Sequence, residues 1–242
     1  MSLSEELSSN AVLLFRSGDD IARTAEEFER RGIRTIPFEA IERKCVDAAE
    51  RLKEIAVKAN YLVFISRNSV LCSMQHIDWS NTRARIIATG MSTAKLLEGM
   101  GADVEFAPAS GGLRAVIEWL EKKAPGLVAI VCESHSDFDF SKLEIHGFSF
   151  EKIVAYEVHP KKMAIDTPTV SLATHVALFS PLEVASLRLS ADAGTLAAVR
   201  KLKAVCVGRK TYEAAGAMFD RVTLAKSNSI DAVADEITGD LD

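Results

Sequence analysis

No run of about 18 apolar residues, the length a membrane helix needs, occurs anywhere in the chain. The longest apolar runs, such as residues 127–132, are strand-sized. The opening MSLSEELSSN is polar and acidic rather than basic and then apolar, so no secretory signal is expected. Positive charge is not in excess: the formal net charge is −5, which argues against a general nucleic-acid binder. Cysteine is scarce. Cys45, Cys72, Cys132 and Cys206 share no CxxC spacing, which argues for free thiols in a reducing cytosol rather than a disulfide framework or a zinc site. His76, His146, His159 and His175 show neither HxxxH nor HxH spacing, so no metal centre is expected. Ser110-Gly111-Gly112 precedes a helical pattern but lacks the lysine of a phosphate-binding loop.

What the chain does have is alternation. Short apolar runs at 12–15, 35–38, 61–65, 85–88, 104–106, 127–132, 153–156, 176–179, 204–207 and 221–224 read as strands. Amphipathic helices lie between them. Leu113, Val116, Ile117 and Leu120 keep helical spacing, as do Ile230, Val233, Ala234 and Ile237. Gly101 stands where a helix end needs a left-handed residue. Such alternation predicts an α/β protein with parallel sheets covered on both faces.

A repeat organises these elements. Residues 86–107, IIATGMSTAKLLEGMGADVEFA, recur at an offset of 118 as residues 204–225, AVCVGRKTYEAAGAMFDRVTLA. Gly90 falls on Gly208, Thr93 on Thr211 and Val104 on Val222. Each copy follows a strand ending in serine, FIS at 64–66 and LFS at 178–180, and the strand before Arg16 resembles the strand before Glu133. Self-similarity at this period predicts two similar flavodoxin-like parallel-sheet domains from an internal duplication, joined by a two-strand linker. The extended segments near 35–39 and 153–159 place one domain at 1–37 plus 160–242 and the other, inserted, at 38–159. Two sequential domains split near residue 125 are the alternative.

In order along the chain stand a strand ending in arginine at 13–16, FISRNSV at 64–70, GMSTA at 90–94, VAYEV at 154–158, LFSP at 178–181 and GRKTY at 208–212. The ordered set resembles the uroporphyrinogen-III synthase family over the full chain. The sequence departs from the family pattern at the ESHSD loop after residue 132, in the short stretch between His159 and Val176, and at Tyr212. The resemblance implies a lyase of tetrapyrrole and haem biosynthesis that closes hydroxymethylbilane, inverting ring D through a spiro intermediate. It implies no cofactor, a tetrapyrrole substrate as partner, no nucleic acid and no membrane, and a cytoplasmic monomer. Because the unassisted closure is easy and gives the wrong isomer, the protein's task is to dictate geometry.

Tyr156 matches the family's tyrosine and is the expected catalytic acid, a phenol beside the departing hydroxyl. Ser66, Asn68, Gly90, Thr93, Ser180, Gly208 and Thr211 fall at strand-to-helix turns, where N–H groups and the helix dipole hold carboxylates. Capping of the same helices is the plainer role of these residues, and the two are compatible. Arg16, with Arg67, Arg209 and Lys210, offers positive charge to carboxylates from these turns. Glu133, Ser134, His135 and Asp137 have the residue types of a hydrolase triad, but triad members come from separate elements. A non-catalytic two-domain cytosolic ligand-binding or sensor protein is the alternative function on the same fold. With no metal-ligand spacing, exhaustive dialysis against a chelator is expected to leave turnover unchanged; activity restored only by adding back a metal would overturn this.

Overall fold

The apolar runs pair side by side. The structure, a computed structural model, describes residues 11–136 and 138–241. The opening ten residues and Asp137, on which readings above touched, lie outside the described residues. The order begins β1 (Ala11–Ser17), α1 (Gly18–Glu29), β2 (Thr35–Cys45), α2 (Ala49–Lys58), β3 (Tyr61–Phe64) and α3 (Arg67–Leu71). It continues β4 (Arg85–Ala88), α4 (Met91–Gly99), β5 (Val104–Phe106), α5 (Gly112–Leu120), β6 (Leu127–Glu133), α6 (Ser141–Ile145) and β7 (Ser149–Pro160). It ends α7 (Thr167–Val170), β8 (Ala173–Leu178), α8 (Pro181–Ser190), α9 (Ala193–Arg200), β9 (Lys203–Cys206), α10 (Arg209–Gly216), β10 (Arg221–Leu224) and α11 (Ile230–Leu241). Among the described residues the pairings of β1 with β2 and β8, β8 with β9, β9 with β10, β6 with β3 and β7, and β4 with β3 and β5 are all parallel.

The chain divides into two compact units, Met1–Glu42 with His159–Asp242, and Arg43–Val158. Within the first the strand order is β10-β9-β8-β1-β2, and within the second β7-β6-β3-β4-β5. The long strands β2 and β7 each pass from one unit into the other. Both run several residues beyond the apolar segments that announced them. Their outer parts are half-exposed and mix charged with apolar residues, as in Glu39–Ala40–Ile41–Glu42, so hydrophobicity marks only part of each. In the first unit Lys161 N donates to Ala40 O at 2.8 Å, and in the second Val46 N donates to Ala155 O at 2.9 Å.

Alternate strand residues point to opposite faces of a sheet, and here both faces are buried. In the second unit Leu62, Phe64, Ile86, Ala88, Ala129 and Val131 pack with Leu52, Ile55 and Leu97 from α2 and α4. Their neighbours Tyr61, Val63, Ile87, Val128 and Ile130 pack with Val116 and Leu120 of α5. The first unit repeats the arrangement. Leu13, Phe15, Val176, Leu178 and Ala204 meet Val184, Leu187 and Val199, while Val12, Leu14, Ala177 and Val205 meet Phe28, Val233 and Ile237. Two-faced burial explains why the strands read as unbroken apolar runs. Cys132 and Cys206 are buried free thiols at strand ends. Gly101 ends α4 at φ +88°, and Gly111 and Gly112 turn the chain into α5 at φ +87° and +54°. Positive φ accounts for these glycines without a ligand.

The other two cysteines correct the expectation of free thiols. Cys45, at the exposed end of β2, is disulfide-bonded to buried Cys72, the residue that ends α3, with Cα atoms 5.2 Å apart. Bridging depends on Cα separation and direction in the fold, which sequence spacing does not report. The bond closes a loop across a sequence separation of 27, worth about 3–4 kcal/mol by chain entropy. Cys45→Ser, or dithiothreitol, should therefore lower the denaturation midpoint; a midpoint indifferent to reductant would show that the bond contributes no stability.

Candidate functional site

Parallel strands gather their carboxyl ends on one edge, so the turns that follow them gather too. In the second unit β6, β3 and β4 are neighbours, and at their ends lie Glu133, Ser66 and Gly90. In the first unit β1, β8 and β9 are neighbours, and at their ends lie Arg16, Ser180 and Gly208. The expected site residues thus form two groups, one per unit.

Tyr156 joins the second group through β7, which pairs with β6 so that Glu133 lies opposite Tyr156. Its hydroxyl is 3.1 Å from Ser66 Oγ, and the residue is 5% exposed. Burial, foremost, raises the phenol pKa above its ordinary value; the Ser66 hydrogen bond opposes this and the Glu133 carboxylate adds to it. The Tyr156 hydroxyl is thus held neutral, and either it or Ser66 Oγ can be the donor of the bond between them. Ser66 is also committed to its own helix: Ser69 N donates to its Oγ at 3.1 Å, and Ser66 N donates to Ser69 Oγ at 3.2 Å. This is a reciprocal cap. Asn68 lies in the first turn of the same helix, half-buried.

Gly90 differs from Ser66. It starts α4 with no side-chain cap, and a side chain at this position would meet nothing within 4 Å. Its backbone is extended, which any residue adopts, so neither φ nor packing requires glycine here. Thr93 N and Ala94 N donate to Gly90 O, leaving the first N–H groups of the helix at an open approach. Thr93 itself is buried, so the surface of this turn is mainly backbone.

The first unit shows the same division. Ser180 caps α8 reciprocally: Leu182 N donates to its Oγ, while Phe179 N and Ser180 N donate to Glu183 Oε2 at 2.5 and 3.1 Å. Gly208 starts α10 without a side-chain cap, with buried Thr211 in its first turn. A Cβ at Gly208 would stand 3.1 Å from Asn228 Oδ1, so this turn is closely faced by Asn228. Arg16 is not a loose surface charge. Its side chain is 16% exposed, Nη2 is 3.5 Å from Asp20, Nη1 is 3.7 Å from Glu183, and the guanidinium lies 4.4 Å above the Phe179 ring. Arg209 is exposed and paired with Glu213.

Sequence reasoning passed over Glu183. It is fully buried, and burial, outweighing the attraction of Arg16, lifts its pKa to about 8. The signal was present, since Ser180-Pro-Leu-Glu183 has the S-x-x-E spacing of a capping box. Ser134 Oγ does lie 2.9 Å from His135 Nδ1, but Glu133 approaches that same nitrogen, at 3.9 Å. A relay needs its acid and its nucleophile on opposite ring nitrogens, so Glu133, Ser134 and His135, the described members of the set, form no triad. His175 is buried, with Nδ1 2.8 Å from Thr174 Oγ1 and Nε2 3.3 Å from Asp240, and burial lowers its pKa. It is structural. The hollow lined by Lys226, Ser227, Asp231 and Asp235 touches none of the expected residues.

Among the described residues no helix is long and apolar enough to cross a membrane. The fold is mixed α/β with mostly parallel strand pairing, similar to two solved structures. One is the uroporphyrinogen-III synthetase of Helicobacter pylori, with TM-score 0.57 and 16% identity over 96% of this chain and 100% of that one. The other is a mutant uroporphyrinogen III synthase of Thermus thermophilus, with TM-score 0.53 and 15% identity over 96% of this chain and 98% of that one. No curated protein is similar enough in sequence to match. The family model described as "Uroporphyrinogen-III synthase HemD" matches residues 22–235. With that match spanning most of its length, the chain belongs to the uroporphyrinogen-III synthase family.

Proposed function

We propose that this chain closes hydroxymethylbilane to uroporphyrinogen III, inverting ring D through a spiro intermediate, as a cofactor-independent cytoplasmic monomer. Family membership over residues 22–235 carries this reading and disfavours the non-catalytic sensor. Two similar domains, 1–37 plus 160–242 and 38–159, joined by a two-strand linker, are the architecture we infer. The strand orders support the duplication: β2-β1-β8-β9-β10 and β7-β6-β3-β4-β5 match position for position, with β9 and β4 carrying the 118-residue repeat. The first is the flavodoxin-like order 2-1-3-4-5, and the second is its circular permutation.

Catalysis in this reading is positioning. The substrate's carboxylates meet N–H groups at the uncapped turns, Gly90 to Thr93 and Gly208 to Thr211, and the guanidinium of Arg16. Ser66, Asn68 and Ser180 shape the neighbouring turns. Tyr156 donates a hydrogen bond to the hydroxyl, which departs as water with the proton given up by its own ring's pyrrole N–H, leaving the terminal methylene electrophilic for the substituted carbon of ring D. A phenol whose pKa is raised by burial is a weak acid, so its contribution is hydrogen bonding more than full proton transfer.

Two measurements test this. Bilane supplied by the enzyme that makes it should be converted predominantly to the type III isomer; a type I product at the spontaneous rate would overturn the assignment. Tyr156→Phe should lower turnover roughly tenfold to a hundredfold, the low end for one positioned acid. Complete loss in a folded variant would mean that proton transfer, not geometry, limits the reaction.

A further inference from the structure

Arg16 and Glu183 form an incomplete pair. Their nearest atoms, Arg16 Nη1 and Glu183 Oε1, are 3.7 Å apart, too far for a hydrogen bond. Arg16 Nε and Glu183 Oε1 are the buried side-chain polar atoms left without a hydrogen-bond partner among the described residues. The other carboxyl oxygen, Oε2, is held by two backbone N–H groups at the start of α8, so Glu183 cannot turn away. Arg16 is held on its other sides by Asp20 and the Phe179 ring, and it keeps 16% of its side chain exposed. A guanidinium at the carboxyl edge, with Asp20 on one side and one unmade bond to a fixed and buried carboxyl on another, can be claimed on that second side either by the carboxyl or by an outside anion.

We propose that Glu183 is a positioning residue for Arg16: uncharged, it leaves the guanidinium to a substrate carboxylate, and ionised, it takes the guanidinium for itself. This rests on the reading of Arg16 as a carboxylate ligand. The groups that face Glu183 fix the sign. Arg16 on β1 favours its ionisation, while Asp20 on α1 opposes it. On β9, Cys206 stays a neutral thiol, its pKa pushed up to about 12 by burial and by Glu183. Burial dominates, so the carboxyl is neutral at pH 7 and ionises near pH 8. Above that pH a second anion competes with the substrate for one cation. Binding then requires Glu183 to regain its proton, and KM rises with pH, by roughly tenfold per unit at the limit for one linked proton.

The test is KM and kcat for hydroxymethylbilane between pH 6 and 9.5, scored by initial type III product. In the wild type KM should climb above pH 8 while kcat changes little. In Glu183→Gln, which keeps the shape without the charge, KM should stay flat across the range. An equal alkaline rise in Glu183→Gln, or a flat KM in the wild type, overturns the proposal. Should Glu183→Gln fold poorly, carbon-13 NMR of the carboxyls supplies the second reading. Arg16→Gln should move the Glu183 midpoint upward by removing its cation, and an unmoved midpoint would show that the two groups are uncoupled. Arg16→Ala separates the two ideas. A KM at pH 7 unchanged by Arg16→Ala overturns the ligand role of Arg16 and the proposal built on it. A raised KM supports that role and leaves Glu183 to be judged by its own pH profile.

Discussion

Parallel pairing is the constraint on which the rest of this structure depends. A parallel strand must be reached by a crossover, so helices cover both faces, and within a unit the parallel strands deliver their carboxyl ends to one edge of that unit. In each unit the three neighbouring central strands therefore end close together, whatever their distance in sequence. Ser66, Gly90 and Glu133 become neighbours by this rule alone, and so do Arg16, Ser180 and Gly208. The gathering of these turns is a consequence of topology before any side chain is chosen.

Side chains then decide which of the gathered turns are open. A helix start exposes N–H groups that need an acceptor. Ser66 and Ser180 supply one internally, through reciprocal caps. Gly90 and Gly208 supply none, so the first turns of α4 and α10 keep their capacity for an outside acceptor. The two glycines are thus the complement of the two serines: one pair finishes its helix, and the other leaves it unfinished. For a substrate that carries carboxylates on every ring, uncapped N–H groups are suitable partners because they add no net charge and do not depend on pH.

Two acidic groups near these turns, Glu183 and Tyr156, are pushed toward their neutral forms by burial. An ionised side chain beside a polyanion repels it, and in water Glu183 would be ionised at pH 7. Complete burial raises its pKa to about 8 instead. Tyr156, also buried, holds its proton more firmly than a free phenol. A protein of net charge −5 can present neutral hydrogen-bonding groups and one held guanidinium in this way, since net charge and local charge are set by different residues.

Much of this was legible in the sequence, because strands buried on both faces must be apolar throughout. All ten runs proved to be strands, within a few residues at their ends except in β2 and β7. The repeat, the left-handed Gly101 and the family were legible for similar reasons, being local patterns or ordered sets of them. The full length of β2 and β7 was not, because half-exposed strands carry polar residues that hydropathy cannot distinguish from loop. Nor was the Cys45–Cys72 bond, which depends on where a strand end and a helix end meet. The hydrogen bond between Tyr156 and Ser66, and the burial of Glu183 beside Arg16, join residues 90 and 167 positions apart. Composition and periodicity report each residue's own preference for water or for a backbone shape. Which distant groups share a proton or a charge is decided only when the tertiary fold sets their separation and removes the water between them.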